Sequence, residues 1–346
     1  MRRGRLLVWV AVPAAVALLL LTGCPNKKKG DGGSVRLQGA GSSFVDPVMQ
    51  EWIIAYKEKG EVNYQSKGSS AGIKMMTDKE VDFGCSDAPM KKDQEEKAKE
   101  QGGEVLHIPL VMGAIVPIYN LDVPDLVLDG KVLMNIYLGK ITKWNDKAIA
   151  DLNKGKDLPD EKIAVVYRAD GSGSTDILTD FFVKVDKEAW KPGRGTIINF
   201  PVGTGAKNSS GLAGAVKQQK GAIGYVEITY AIKSNIPYAQ MVNKKGKTVK
   251  AEAKSVTAAA AATKVPDDLK YSITNADADD AWPLAGTVWA IVYAKQPARK
   301  AEPLKQFLSW VTHDGQKLVE KLHYAPLPPE IVKKIDEKLK AIQTVN

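Results

Sequence analysis

Between residues 35 and 101 the chain repeats one unit three times: a short apolar strand, a turn of glycine and hydroxyl residues, then a helix. Val35 to Gly39 leads into Ala40-Gly41-Ser42-Ser43-Phe44, and Val62 to Gln65 into Gly68-Ser69-Ser70-Ala71-Gly72. Val81 to Gly84 leads into Cys85-Ser86-Asp87-Ala88-Pro89 and the charged helix Lys91 to Gln101. This alternation leaves few folds open, because parallel strands need a long crossover and the crossover is right-handed. It predicts an α/β protein with largely parallel sheets covered by helices, and in such sheets ligands collect beyond the carboxyl ends of the strands. The first helix fits this scheme: Val45, Val48, Met49, Trp52, Ile53 and Tyr56 recur at helical spacing, and Pro47 stands in the first turn, where no N–H donor is needed.

A fourth turn of this kind concentrates the chemistry. Tyr167-Arg168-Ala169-Asp170-Gly171-Ser172-Gly173-Ser174-Thr175 joins an apolar strand, Ile163 to Tyr167, to an amphipathic helix, Asp176 to Val185. The first turn of a helix exposes unpaired N–H groups and the positive end of its dipole, both of which favour an anion. Glycine permits close approach, hydroxyls donate or accept, and arginine carries a fixed charge, so the stretch reads as an anion cradle. An ordinary strand-to-helix turn capped by serine fits the same residues.

At 346 residues the chain exceeds what one core usually serves, so two domains are expected. Val105 to Asn120 is a nearly uncharged run broken by Pro109, Gly113 and Pro117, and it reads as extended chain crossing between domains. Ala281 to Ala294 is a second such run that carries the chain back. Two crossings make a hinge, with the site in the cleft. The expected division is residues 35–112 with 287–346 in lobe I and residues 113–286 in lobe II. Further helices are expected over Lys131 to Gly139, Ala251 to Thr263, Leu304 to Leu322 and Ile331 to Ile342.

The first 23 residues read as a secretory signal: Arg2, Arg3 and Arg5 precede an apolar run from Leu6 to Leu21. Leu21-Thr22-Gly23-Cys24 matches a bacterial lipobox, which makes Cys24 the expected lipidated N-terminus, followed by a flexible tether over residues 24–34. Cys85 is then the only mature thiol, so no intramolecular disulfide forms. The formal charge of +9 is partly removed with the signal and partly confined to the tether lysines. With no basic helix or aromatic-interleaved basic stripe, nucleic acid is not the expected partner.

Enzymatic readings are weaker. Gly68-Ser69-Ser70-Ala71-Gly72 matches the G-x-S-x-G elbow of serine hydrolases, with Ser70 as nucleophile, but no HGGG-type loop precedes it. His107, His313 and His323 lack the settings of a base or ligand, no metal-ligand spacing appears, and no cofactor is expected. Asp87 stands out, because a carboxylate in an anion site repels its ligand unless the ligand brings a proton. Its plainer reading is a helix N-cap. Phosphate carries a P–OH group that can donate to a carboxylate, whereas sulfate near neutral pH carries none. Against sulfate, a buried acceptor left without a donor costs on the order of several kcal/mol. Asp170 is expected to pair with the Arg168 guanidinium.

Together these stretches resemble the phosphate-binding proteins of bacterial high-affinity phosphate ABC importers, along essentially the whole mature chain. The resemblance rests on Gly39 to Phe44, Gly68 to Gly72, Val81 to Pro89, Arg168 to Ser174 and Gly221 to Glu227, with Tyr137 to Trp144 and Asp280 to Pro283 in support. It implies a type II periplasmic-binding-protein fold, with two α/β lobes closing on phosphate. By position in the motifs, it implies hydroxyl donors at Ser43 and Ser69, a backbone donor at Phe44 and the acceptor of the phosphate proton at Asp87. It further implies a cationic ligand at Arg168 and helix-start donors at Ser172, Gly173 and Ser174. The implied partners are inorganic phosphate, the importer's permease subunits and a membrane reached through the Cys24 lipid. The chain is expected to be a monomer in the cell envelope, without enzymatic activity.

Overall fold

The computed structural model describes residues 35–345, so Cys24 and the signal segment lie outside the described residues. The described residues form one compact unit. Its centre is a sheet of eight strands: β1 (Arg36–Gly41), β2 (Glu61–Ser66), β3 (Phe83–Ser86), β4 (Val105–Tyr119), β5 (Ala164–Arg168), β6 (Thr204–Ala206), β7 (Ala222–Glu227) and β8 (Ala285–Tyr293). Their spatial order is β2-β1-β3-β8-β4-β7-β5-β6.

The parallel pairs are those the repeated units predict: β1 with β2 and β3, and β5 with β6 and β7. The sheet as a whole is mixed, which corrects the expectation of largely parallel pairing. β8 runs antiparallel to β3 and β4, and β4 runs antiparallel to β7. The cause is the double crossing: one strand carries the chain out and the other carries it back, so the two must oppose each other. β4 pairs with β8 up to Ala114 and with β7 from Ile115 to Tyr119, so a single strand belongs to both halves of the molecule. Burial on both faces explains why β4 and β8 read as unbroken apolar runs rather than as alternations. Pro109 is tolerated at a bulge: Val288 faces Val111 and Trp289 faces Pro109, which leaves Leu110 over, and the Leu110 carbonyl accepts from Gln316 Nε2 at 2.9 Å.

Helices cover both halves. In α1 (Asp46–Tyr56) Val48, Met49, Trp52 and Tyr56 are the buried face, and Trp52 Nε1 donates to the Gly315 carbonyl at 2.9 Å. Removing that ring costs roughly 3–5 kcal/mol. α2 (Ser69–Thr77), α3 (Gly173–Asp186), α4 (Asn208–Gln218) and α5 (Ile228–Lys233) follow β2, β5, β6 and β7. α3 starts three residues earlier than its apolar periodicity suggests, so Gly173 and Ser174 lie in its first turn. The helix expected over Leu304 to Leu322 is a helix only over Ala298–Thr312, after which the chain tightens into two 3-10 turns, Asp314–Leu318 and Glu320–Leu322. Among the described residues no helix is long and apolar enough to cross a membrane.

Candidate anion-binding site

Five strands end on the same polar centre. β1 delivers Ser42, Ser43 and Phe44; β2 delivers Ser69; β3 delivers Asp87; β5 delivers Arg168 to Ser174; β6 delivers Asn208 and Ser209. Ser43, Phe44, Ser69, Asp87, Arg168, Ser172, Gly173 and Ser174 are all buried, and Asp170 is half-buried.

Asp87 occupies the junction of the two halves. Ser69 Oγ donates to its Oδ1 at 2.7 Å from the β2 side, and Ser174 Oγ donates to its Oδ2 at 3.0 Å from the β5 side. Ser69 Oγ also accepts from Gly173 N at 3.0 Å. A Cβ at Gly173 would stand 2.3 Å from Asp87 Cγ, so only glycine lets the carboxyl lie against the start of α3. Ser172 is the N-cap, with its hydroxyl accepting from Thr175 N at 3.4 Å.

The cation sits a few residues away. Arg168 Nε donates to Asp170 Oδ1 at 2.8 Å and Nη2 donates to Oδ2, a bidentate pair in a nearly dry setting. Burial raises the Asp170 pKa, but the bond and charge of Arg168 outweigh it and hold the carboxyl below its ordinary value. Asp170 Oδ1 also accepts from Asn208 N at 3.0 Å. Gly68, at φ +92°, has no room for a side chain because a Cβ there would meet Asp170 Oδ2 at 2.6 Å. The expected pairing of Asp170 with Arg168 is therefore present in atomic detail.

Ser43 Oγ lies 2.9 Å from Ser209 Oγ across the two halves, and Arg168 Nη1 reaches Ser209 Oγ at 3.4 Å. The Phe44 N–H, expected to face a ligand, donates to Ser42 Oγ at 3.0 Å. The hydrolase alternative finds no support in this geometry. Ser70 Oγ donates to Thr196 Oγ1 at 3.0 Å, while His107 Nε2 accepts from Met90 N and His313 Nδ1 pairs with the Ser309 carbonyl. Among the described residues no cluster of His, Cys, Asp and Glu has the makings of a metal site.

A sequence model described as the PBP superfamily domain matches residues 27–314. The phosphate-binding protein PstS of Xylella fastidiosa (strain Temecula1) is 40% identical over 314 residues, which cover 88% of this chain and 84% of that protein. The chain belongs to the PstS family of this superfamily. PstS of Pasteurella multocida (strain Pm70) is 39% identical over 316 residues, covering 88% of this chain and 90% of the relative. Among solved structures, the phosphate-binding protein of Stenotrophomonas maltophilia superposes with a TM-score of 0.67 at 18% identity, over 89% of this chain and 94% of that one. The fold is thus the two-lobed periplasmic-binding-protein fold that the sequence motifs imply, and the polar centre of this PstS chain lies where its halves meet.

Two residues in or beside the PstS centre are not among those the motifs single out. Ser209 is one, although its setting, a hydroxyl-rich strand-to-helix turn at Asn208-Ser209-Ser210-Gly211, is the same signal as the others. Arg194 is the other. Its Nε and Nη2 donate to Asp176, with Nη2 to Oδ2 at 2.7 Å, and its Nη1 donates to Asp180 Oδ1 at 2.9 Å. Burial raises the Asp176 pKa against the pull of Arg194, with Asp180 and Asp87 adding to the rise. Arg194 therefore offsets two carboxyl groups on the helix whose start forms the centre. It lies in an irregular loop with no motif around it, so no sequence signal marks it.

Proposed function

We propose that this protein binds inorganic phosphate outside the cytoplasm and passes it to the permease of a phosphate ABC transporter. The observation that carries this reading is Asp87: one acceptor inside a ring of donors, held by hydroxyls from both halves. A site built for any anion has no use for a carboxyl at its centre; a site for a protonated oxyanion does. Ser43, Ser69 and Ser174 carry hydroxyls that rotate about one bond, so the same groups can donate to phosphate oxygens. The centre holds one guanidinium against the two carboxyl groups of Asp87 and Asp170. Its attraction for an anion then comes from directed donors and the α3 N-terminus rather than from net charge. The names of the PstS relatives support the ligand.

In this reading Ser43, the Phe44 N–H, Ser69, Arg168, Ser172, Gly173 and Ser174 donate to phosphate, Asp87 accepts its proton, and Asp170 orients Arg168. The lobes comprise residues 35–112 with 287–346 and residues 113–286, the change of partner along β4 at Ile115 supporting that division. The protein works as a monomer by binding alone, without a covalent step. Lipid on Cys24 tethers it to the membrane. Mass spectrometry of the mature N-terminus checks the anchor: a diacylglyceryl mass on Cys24 is expected, and an unmodified mature chain would exclude it.

Titration calorimetry against phosphate and sulfate tests the ligand. Tight phosphate binding with little response to sulfate is expected, and equal binding of the two would overturn the role of Asp87.

A further inference from the structure

Glu227 is the last residue of β7, opposite Ile115 at the point where β4 changes partners, and it is fully buried. Its Oε2 accepts from Thr229 N at 3.0 Å and lies 3.0 Å from the Tyr324 hydroxyl. Its Oε1 lies 3.1 Å from Thr229 Oγ1. Each of these hydroxyls also lies close to a backbone carbonyl: Tyr324 OH is 2.6 Å from the Phe44 oxygen, and Thr229 Oγ1 is 2.7 Å from the Leu322 oxygen. There are thus four O···O contacts at hydrogen-bond distance and two hydroxyl protons to fill them. A carbonyl has no proton to give, so with an ionised Glu227 two of the four contacts set lone pair against lone pair. A proton on the carboxyl fills a third contact and lets the chain run from Glu227 through Tyr324 to the Phe44 carbonyl.

We propose that Glu227 is kept as a neutral carboxylic acid and, through the Tyr324 hydroxyl, positions the Phe44 backbone at the anion site, so that its ionisation weakens anion binding. The proposal rests on the phosphate reading of that site. An ionised Glu227 would draw the Tyr324 proton to itself, because a bond to a charged acceptor is stronger than one to a carbonyl. The Phe44 carbonyl would then lose its donor, in the loop that also carries Ser43.

The surroundings favour the neutral form. Burial pushes Glu227 up to about 8, against the opposing pull of the Thr229 and Tyr324 bonds and of Lys233 on α5. Tyr324 is itself raised by burial and by Glu227, so it stays a phenol. Tyr230, also on α5, is raised by burial and donates to the Ser43 carbonyl at 2.6 Å; Asp46, Arg168 and Asp87 are the other charged groups that act on it. On the 3-10 segment beside Leu322, Lys321 and His323 are exposed to solvent. The nearby ion Lys233 opposes the neutral form without overcoming burial.

The test is phosphate calorimetry on the wild type and Glu227→Gln from about pH 6 to about pH 9.5, since glutamine keeps the shape and cannot ionise. Dividing one dissociation constant by the other cancels the titration of phosphate itself and of groups common to both proteins. The ratio of wild type to variant is expected to rise about tenfold across that range. Tyr324→Phe, which lacks the relay hydroxyl, is expected to bind about tenfold more weakly at the low end and to show no such rise against its own Glu227→Gln double variant. Infrared difference spectra should contain the carbonyl band of a protonated carboxylic acid at neutral pH that Glu227→Gln removes. A flat ratio with phosphate still bound, or no acid band, would overturn this inference alone. A wild type that takes up no phosphate at any pH would overturn the phosphate reading as well.

Discussion

The Arg168 and Asp87 ends of the centre solve the burial of a charge-bearing group in opposite ways. Arg168 has a permanent internal partner, since Asp170 holds its guanidinium in two places and is fixed in turn by Asn208 N. Among the described residues Asp87 has no cationic partner, and its carboxyl is bonded by the hydroxyls of Ser69 and Ser174. A paired guanidinium keeps free N–H donors, so in the proposed reading the Arg168 end sets how strongly an anion is held. A carboxyl served by rotatable hydroxyls changes partners cheaply, and it rewards only a ligand that brings its own proton. On that proposal the first end binds and the second chooses.

Breaking the Arg168 end should have the largest effect. Arg168→Met leaves the half-buried Asp170 without its cation and removes the guanidinium from the centre. Phosphate affinity measured by calorimetry is expected to fall about a thousandfold. A fall of less than tenfold would mean that the two ends do not differ as described.

Asp87→Asn should act on choice rather than on strength. It loses a charge-assisted bond worth about 1.5–3 kcal/mol to phosphate and at the same time relieves repulsion of the anion, so the two effects offset for phosphate. For sulfate only the relief applies. The ratio of sulfate to phosphate affinity is expected to rise about a hundredfold in competition titrations, and an unchanged ratio would remove Asp87 from the selection step.

Arg194 acts on the same helix start from beside the centre. Arg194→Gln leaves the buried Asp176 carboxyl unpaired two residues beyond Ser174, and phosphate affinity should drop about tenfold, the scale of one unscreened charge near a helix start. Adding Asp176→Asn should restore it, because the double change removes the repulsion with the cation; failure to restore would assign the loss to misplacement of the loop instead. The smallest effect is expected at Ser209, whose hydroxyl makes only the 3.4 Å contact to Arg168 and the 2.9 Å contact to Ser43. Ser209→Ala should weaken phosphate binding by about fivefold, one neutral hydrogen bond, and a loss as large as that at Arg168 would make the serine pair part of the binding end proper.

Much of this was legible in the chain. The strand–turn–helix units, the cradle from Arg168 to Ser174 and the oddity of Asp87 are local patterns, written in residues a few positions apart. The crossing runs were legible too, because β4 and β8 are buried on both faces and so carry no alternation to disguise them. The segment after Thr312 is different: it keeps helical spacing at Leu318 and Leu322 but folds as 3-10 turns, with Gln316 committed to the Leu110 and Val311 carbonyls and to Leu327 N.

Which turns carry donors and acceptors is decided locally, since a glycine, a hydroxyl and a helix start are properties of adjacent residues. Which of them meet is settled by the packing of distant segments. That Ser69 and Ser174 close on the same carboxyl and that Tyr324 links Glu227 to Phe44 depend on a mixed sheet, while Arg194 meets Asp176 because the loop after α3 folds back on its start. In that sheet one strand serves both halves. Contacts of that kind are set by the order and direction of strands, which hydrogen-bond through a backbone common to every residue and so leave little trace in the side chains.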